Sequence, residues 1–285
     1  MTYNFKLIYP KKLKPTPVTD VLRDLLIPRK WRHLLRINKQ VTVNGKYRNF
    51  NELIYPNDKI ELKINFVDSH QQEYPASKHL PDVVYEDDDL LVINKKKGQK
   101  THPNLFESDT ALNDCATYLG KSPYIVHRLD MLTGGLLLVA KNPAVVPILN
   151  RELTTKTFHR EYLAKVNLNK DLDKNGTISF AIGQDPNDQR KRMVREDGLK
   201  AVTHYQVIEK DDIEKTALLK ISLETGRTHQ IRVHLAAIGC PIVGDPLYNP
   251  NFKESEELQL TAYEMSLIKP YTFSRITIQL PKNDF

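Results

Sequence analysis

Residues 124–141, Tyr-Ile-Val-His-Arg-Leu-Asp-Met-Leu-Thr-Gly-Gly-Leu-Leu-Leu-Val-Ala-Lys, constrain this chain more than any other stretch. An apolar lead runs into His127-Arg128-Leu129-Asp130, then a Thr-Gly-Gly turn, then an unbroken apolar run from Leu136 to Ala140. A run that short, bounded by a turn, suits a buried strand. Gly134 and Gly135 allow the backbone to turn sharply or to be approached closely. Asp130 is therefore expected in a bend at the edge of buried structure, accessible yet firmly held. An Asp ahead of a glycine turn most often only braces that turn. Here, however, an imidazole, a guanidinium and a carboxylate lie together between two apolar runs, a poor place for charge without a function.

His-Arg-Leu-Asp followed by Thr-x-Gly-Leu-Leu-Leu-x-Ala-Lys resembles the signature of the RluA-type pseudouridine synthases, enzymes that isomerise uridine in ribosomal or transfer RNA. The resemblance implies that Asp130 is the catalytic residue. A Ser usual in that family is Gly134 here, a change expected to loosen the turn.

Two further segments carry the same resemblance. Gly226-Arg-Thr-His-Gln-Ile-Arg-Val-His-Leu, followed by Gly-x-Pro-Ile-x-Gly-Asp-x-Leu-Tyr, matches the family's third motif almost letter for letter. It implies a basic residue paired with the catalytic Asp, here Arg232, with Arg227 the less favoured candidate. Thr228 is expected to cap a helix over 229–238, ended by Gly239 and Pro241. His229 and Arg232, three apart, would share one face. Arg160-x-Tyr-x-Ala-x-Val alternates like a strand and implies an active-site tyrosine, Tyr162, whose flat ring can carry a uracil base. On its own, a tyrosine in a strand is more often core.

Lys95-Lys-Lys-Gly-Gln-Lys-Thr-His-Pro resembles the family's loop, with Lys96 where a proline is usual, leaving the loop less rigid. Lys95 and His102 are candidates for contact with RNA or with a neighbouring loop, although a solvated turn explains the lysines equally well. Arg190-Lys-Arg-Met-Val-Arg is a basic run suited to a hairpin facing RNA or to a solvated loop.

Charge placement supports a polyanionic partner. The net charge is +7, and residues 1–70 hold 14 Lys and Arg against 6 Asp and Glu, while the rest holds 28 against 29. A basic unit on a near-neutral body suggests a polyanion-binding module, although a solvated basic face gives the same composition. Strands are expected over 3–9, from Val41 into an Asn-Gly turn, and from Ile60, with helices over 18–26 and 30–37. In the second helix Trp31, Leu34 and Leu35 would face inward and Arg29, Lys30, Arg32, His33 and Arg36 outward. Residues 13–67 resemble the small alpha-L RNA-binding module first known from a ribosomal protein, whose basic helix face offers phosphate contacts that position RNA but read little sequence.

The expected organisation is an RNA-binding domain over 1–70, a polar linker over 71–80 and a catalytic domain over 81–285. The fold class is α+β, with a mixed, largely antiparallel catalytic sheet and a small basic N-terminal domain. Helices are expected over 109–119 and 144–153, and strands in the runs that follow Val83 and Leu90. No run of 18 apolar residues exists, so no membrane span is expected, and the N-terminus lacks a signal-peptide core. Cys115 and Cys240 read as buried free thiols in a reducing cytoplasm. A cytoplasmic monomer is expected, needing no cofactor and no metal.

The chemistry implied is cleavage of the bond from ribose to base nitrogen, rotation of the base, and rejoining through carbon. The target nucleotide must leave its stack, and Arg128 is placed to fill the gap or hold a phosphate, with His127, Arg227 and His229 as further RNA contacts. An ionised Asp130 can attack the anomeric carbon or abstract a sugar proton. Burial alone would raise its pKa, which is the reason to couple it to an arginine. The rival readings are a catalytically inactive RNA-binding or ribosome-assembly protein on the same fold, and a hydrolase using Asp130 and His127 on a nucleoside or sugar.

Overall fold

The structure, a computed structural model, describes residues 1–67, 73–104 and 107–281. Its centre is the strand Gly134–Ala140, buried along its whole length. It pairs antiparallel with Leu90–Lys95 on one side and parallel with Leu260–Ile268 on the other. Among the described residues it belongs to a ten-stranded sheet. In spatial order the main path runs Asn175–Ile178, Thr203–Asp211, Thr216–Leu223, His159–Asn167, Leu260–Ile268, Gly134–Ala140, Leu90–Lys95 and Val83–Glu86. Arg275–Gln279 and Tyr124–Ile125 add to it at the sides. Among the described residues the pair made by Gly134–Ala140 and Leu260–Ile268 is parallel and the other pairings of the sheet are antiparallel, so the sheet is mixed and largely antiparallel.

The unbroken apolar run has a simple cause. Leu136, Leu138 and Ala140 face one core cluster, while Leu137 and Val139 face the other. Leu90 and Val92 against Leu91 and Ile93 repeat the division on the next strand. A strand covered on both faces loses the usual polar alternation. Each such side chain contributes roughly 1.5–3 kcal/mol by leaving water.

Five helices are described: α1 (Val18–Asp24), α2 (Arg29–Ile37), α3 (Ala111–Leu119), α4 (Val146–Thr155) and α5 (Gln230–Ala237). Helices α3 and α5 cover one face of the large sheet through Leu112, Cys115, Ile231 and Leu235, and α4 covers the other through Ile148 and Leu149. None of them is long and apolar enough to cross a membrane. Prolines set three helix starts. Pro17 and Pro28 precede α1 and α2, and Pro147 lies in the first turn of α4. Both cysteines are free and buried.

The N-terminal sheet orders Tyr3–Ile8, Lys59–Ile64, Val41–Val43 and Lys46–Tyr47, with the expected Asn44-Gly45 turn at positive φ. This unit shares its core with the catalytic part: Leu22, Leu35 and Ile60 lie in the same cluster as Leu136 and Leu149. Phe5 stacks on Tyr271 at 3.6 Å, and Tyr9 meets Phe273 edge-on at 5.8 Å. The expected linker lies partly outside the described residues. Its described portion is not free: Tyr74 is buried, its N–H donates to the Ser122 hydroxyl (2.8 Å), and the Pro75 carbonyl accepts from Asn113 of α3 (2.7 Å).

Candidate active site

The Asp130 turn is held from several sides. Thr101 clamps Leu129, accepting from its N–H at 3.1 Å and donating to its carbonyl at 2.8 Å. The Thr133 N–H donates to the Asp130 carbonyl (3.1 Å). Lys95 lies beneath, 1% exposed, its ammonium donating to the carbonyls of Lys96 (2.9 Å), Gln99 (2.7 Å) and Met131 (3.2 Å). Burial pulls its pKa down to about 8, against the charge of Asp130, which raises it. Of the two uses considered for Lys95, the loop contact is the one made.

His127 is a peg rather than a rim residue. Its Nε2 accepts from the Leu138 N–H (3.1 Å), and its ring meets Phe158 edge-on at 5.7 Å. Burial, then the charge of Arg160, lowers its pKa to about 3, so the ring stays neutral. A neutral buried imidazole bound to the strand suits fixing the turn, not gripping phosphate, and this corrects its expected role. His102 does not line the cavity in front of Asp130. Its Nδ1 is buried without a partner, and its pKa is lowered by burial and by nearby Arg128.

Asp130 faces a cavity of about 610 Å³ shared with Arg128, Tyr162, Arg227, His229 and Arg232, within the size range of small-ligand pockets. Its side chain keeps 23% exposure. The other carboxylate lining the cavity, Glu224, is tied to Lys156 (2.6 Å) and His204 (2.8 Å). The Tyr162 ring is buried in the wall, and burial raises its hydroxyl pKa. Arg128 and Arg227 are exposed at the rim and Arg160 is half-buried. Among the described residues none of these three forms an ion pair, which leaves the cavity electropositive.

The expected pairing of Arg232 with Asp130 is not made. The Arg232 guanidinium forms a two-pronged bond to Asp245, Nε to Oδ2 at 2.8 Å and Nη2 to Oδ1 at 2.7 Å, with both side chains buried. It also lies over the Tyr248 ring at 5.0 Å. Asp245 further accepts from the N–H groups of Leu247 and Tyr248 (2.9 and 3.2 Å). A planar fork matches a carboxylate best when both prongs engage, and Asp245 takes that geometry. Among the described residues no arginine comes within ion-pair distance of Asp130.

His229 is the cation-capable group in front of Asp130, its Nε2 3.9 Å from Oδ2. Rather than following a Thr228 cap, it is itself the residue that caps the start of α5, in the left-handed conformation at φ 57°. That conformation costs energy for a residue with a side chain and is most often found where function holds it. The Tyr248 hydroxyl accepts from the Arg192 N–H (2.8 Å) and lies 2.8 Å from His229 Nδ1. Donation from Tyr248 to Nδ1 places the imidazole proton on Nε2, toward Asp130. The His229 pKa is lowered by burial and by Arg232 and Arg192, while Asp130 and Asp245 oppose that shift.

Asp245, Tyr248, Arg160 and Thr101 were not singled out from the sequence. Asp245 and Tyr248 lie in the Gly-Asp-x-Leu-Tyr tail of the third motif, where an acid close after a helical arginine was the available signal.

Comparison with known proteins gives the family. Residues 89–237 match the family model described as RNA pseudouridylate synthase, and residues 5–60 match the RluD ribosomal pseudouridine synthase N-terminal domain. The chain is 34% identical over 255 residues to the Bacillus subtilis uncharacterized RNA pseudouridine synthase YhcT, covering 86% of this chain and 82% of that one. It is 37% identical over 243 residues to the ribosomal large subunit pseudouridine synthase D of Buchnera aphidicola, covering 82% and 73%. Among solved structures, human RNA pseudouridylate synthase domain containing 1 superposes with TM-score 0.63 at 25% identity, covering 74% of this chain and 87% of that one. The chain therefore belongs to the RNA pseudouridylate synthase family and is an isomerase acting on uridine in RNA.

Proposed function

We propose that this enzyme converts uridine to pseudouridine in large-subunit ribosomal RNA, with Asp130 as the catalytic carboxylate. The observation that carries the catalytic part is the isolation of Asp130: it is the cavity carboxylate left without a lysine or arginine partner, on a turn pinned by Thr101, Thr133 and Lys95. The target is supported by the N-terminal match to a ribosomal synthase domain and by relatives named for the large subunit.

The uridine leaves its stack and enters the cavity, with Arg128 at the rim beside the gap it leaves. Asp130 then acts on the ribose, by bonding to the anomeric carbon or by taking a sugar proton, and the bond to base nitrogen breaks. The uracil turns against the Tyr162 ring and its C5 bonds to the anomeric carbon, as the bond to Asp130 breaks or the sugar proton is returned. The C5 proton is then lost to solvent and the freed base nitrogen takes up a proton, so no net change of composition occurs. His229, with its Nε2 toward Asp130, orients the carboxylate without a full opposing charge. Arg232 acts at one remove, holding α5 to Asp245 and stacking on Tyr248, which in turn holds His229.

Asp130→Asn should abolish tritium release from RNA labelled at uracil C5 while leaving RNA affinity within about twofold, since the two side chains have nearly the same shape. Turnover by this variant at wild-type rate would remove Asp130 from the mechanism. Free uracil as product would instead indicate a hydrolase.

A further inference from the structure

Breaking the bond from ribose to uracil leaves its electron pair on the base. A neutral uracil becomes an anion whose charge spreads onto its two carbonyl oxygens. A cation beside the base therefore binds more strongly as the bond breaks than before it, which is the condition for lowering the barrier. Of the groups around the cavity, His229 has its Nε2 toward Asp130, on the sugar side, and the Arg232 guanidinium is taken by Asp245. Arg128 and Arg227 are exposed at the rim, where water weakens any charge interaction. Tyr162 forms the wall that would carry the base, but it is uncharged.

Arg160 stands two positions before Tyr162 on the strand His159–Asn167. Side chains two apart in a strand point to the same side, and both residues line the Asp130 cavity. The arginine is half-buried. Its guanidinium carbon lies 5.9 Å from the centre of the Phe158 ring, and its Nη2 lies 3.7 Å from the place a Cβ on Gly226 would take. The side chain thus reaches from this strand to the turn ahead of α5. The nearby carboxylates are engaged elsewhere, Glu161 with Lys220 and Glu224 with Lys156 and His204. Among the described residues the Arg160 guanidinium has no ion pair and no hydrogen bond, so its donors are free. We propose that Arg160 is a further catalytic residue, its guanidinium donating to a carbonyl oxygen of the uracil and stabilising the negative charge the base carries between bond breaking and rejoining. The proposal rests on the uridine reaction argued above. By either route the departing electron pair goes to the base nitrogen. The anomeric carbon is supplied by a carboxylate oxygen of Asp130 in one route, and by the pair of the broken sugar carbon–hydrogen bond in the other. When C5 bonds to the anomeric carbon the charge on the base is discharged. Arg160 keeps its protons throughout, since a guanidinium is not deprotonated in proteins.

The test uses full-length Arg160→Gln and Arg160→Lys with large-subunit ribosomal RNA transcripts made with uridine or with 5-fluorouridine. Fluorine withdraws electrons and makes the base a better leaving group, so the base needs less help from a cation. Formation of the carbon-linked nucleoside in single turnovers is read by chromatography after digestion, and RNA affinity is read separately. With uridine, Arg160→Gln should slow the reaction about 100-fold while RNA affinity stays within about twofold. With 5-fluorouridine the loss should shrink to about tenfold or less. Arg160→Lys keeps the charge but not the planar fork, so its loss should be smaller, and again larger with uridine than with 5-fluorouridine. Equal losses with the two bases would overturn the proposal, as would weaker RNA binding that accounts for the whole loss, which would make Arg160 a binding group. If Arg160→Gln does not fold, the base dependence of Arg160→Lys decides alone. A wild-type protein that converted neither nucleotide would sink the uridine reaction itself, whereas variants as active as a working wild type would sink only the role of Arg160.

Discussion

Asp130 works among groups whose charges are set by burial. Lys95 beneath it has a folded pKa of about 8, below its ordinary value of 10.5. Between those two values the unfolded chain holds the proton and the folded one does not, so this group makes stability rise as pH rises from about 8 to 10.5. Below 8 the cost of burying the charged ammonium is fully present. Lys95→Met should therefore flatten the pH dependence across that window, measured as the difference from wild type in urea unfolding at pH 7.5, 9 and 10. The Arg232–Asp245 pair makes a separate prediction. Asp245→Asn leaves a buried guanidinium uncompensated, which costs about 3–5 kcal/mol. Its urea midpoint should fall accordingly, and kcat should fall with it as His229 loses its support. An Arg232 paired directly with Asp130 would instead have lost turnover with stability nearly intact.

At the scale of single elements, the strand Gly134–Ala140 carries the site because three partners meet it within a few residues. Gly135 pairs with Lys95 on one side and Ala262 on the other. Its φ is 102°, and a Cβ there would lie 2.3 Å from the Ala262 carbonyl oxygen. Gly135→Ala should cost at least about 2 kcal/mol through strain and overlap, visible as a lower melting temperature. Gly134 differs. It lies in the strand rather than the turn, so it does not loosen the turn as the sequence suggested. A Cβ there would crowd the Lys97 side chain, at 3.0 Å, and make ordinary contact with the Lys95 carbonyl oxygen, at 3.4 Å. Gly134→Ser should be close to neutral, since a flexible lysine can move aside. The apolar run, the turn and the strand end were legible from residue pattern. The lysine crowding Gly134 was not, because it arrives from another strand's loop.

At the scale of the whole molecule, the four-stranded and ten-stranded sheets share one core cluster. The basic N-terminal unit is not a tethered module, because Phe5 and Tyr9 pack on Tyr271 and Phe273. Deleting residues 1–70 would strip apolar cover from the catalytic sheet, so loss of RNA binding after that deletion would not isolate the basic unit. Phe5→Ala is the cleaner change. It removes the stack with Tyr271 and should split thermal unfolding into two transitions, the lower one belonging to the N-terminal unit, as read by calorimetry. A single transition at the wild-type temperature would show that the shared core holds the two units together without that stack.

The sequence by itself determined the reactive turn, the strand behind it, the basic N-terminal unit and the residues that gather at the cavity: Asp130, Tyr162, Arg128, Arg227, His229 and Arg232. The turn, the strand and the basic unit are local, written in turn chemistry, apolar runs and charge, whereas the cavity residues were named by the family resemblance of the motifs that hold them. Only the tertiary structure decided which guanidinium meets which carboxylate, that His229 rather than Arg232 stands before Asp130, and that Lys95 and His127 are buried supports. These outcomes depend on ångström-scale distances between elements far apart in the chain. One carboxylate 13 residues after Arg232, brought close by the fold beyond α5, is enough to claim its guanidinium.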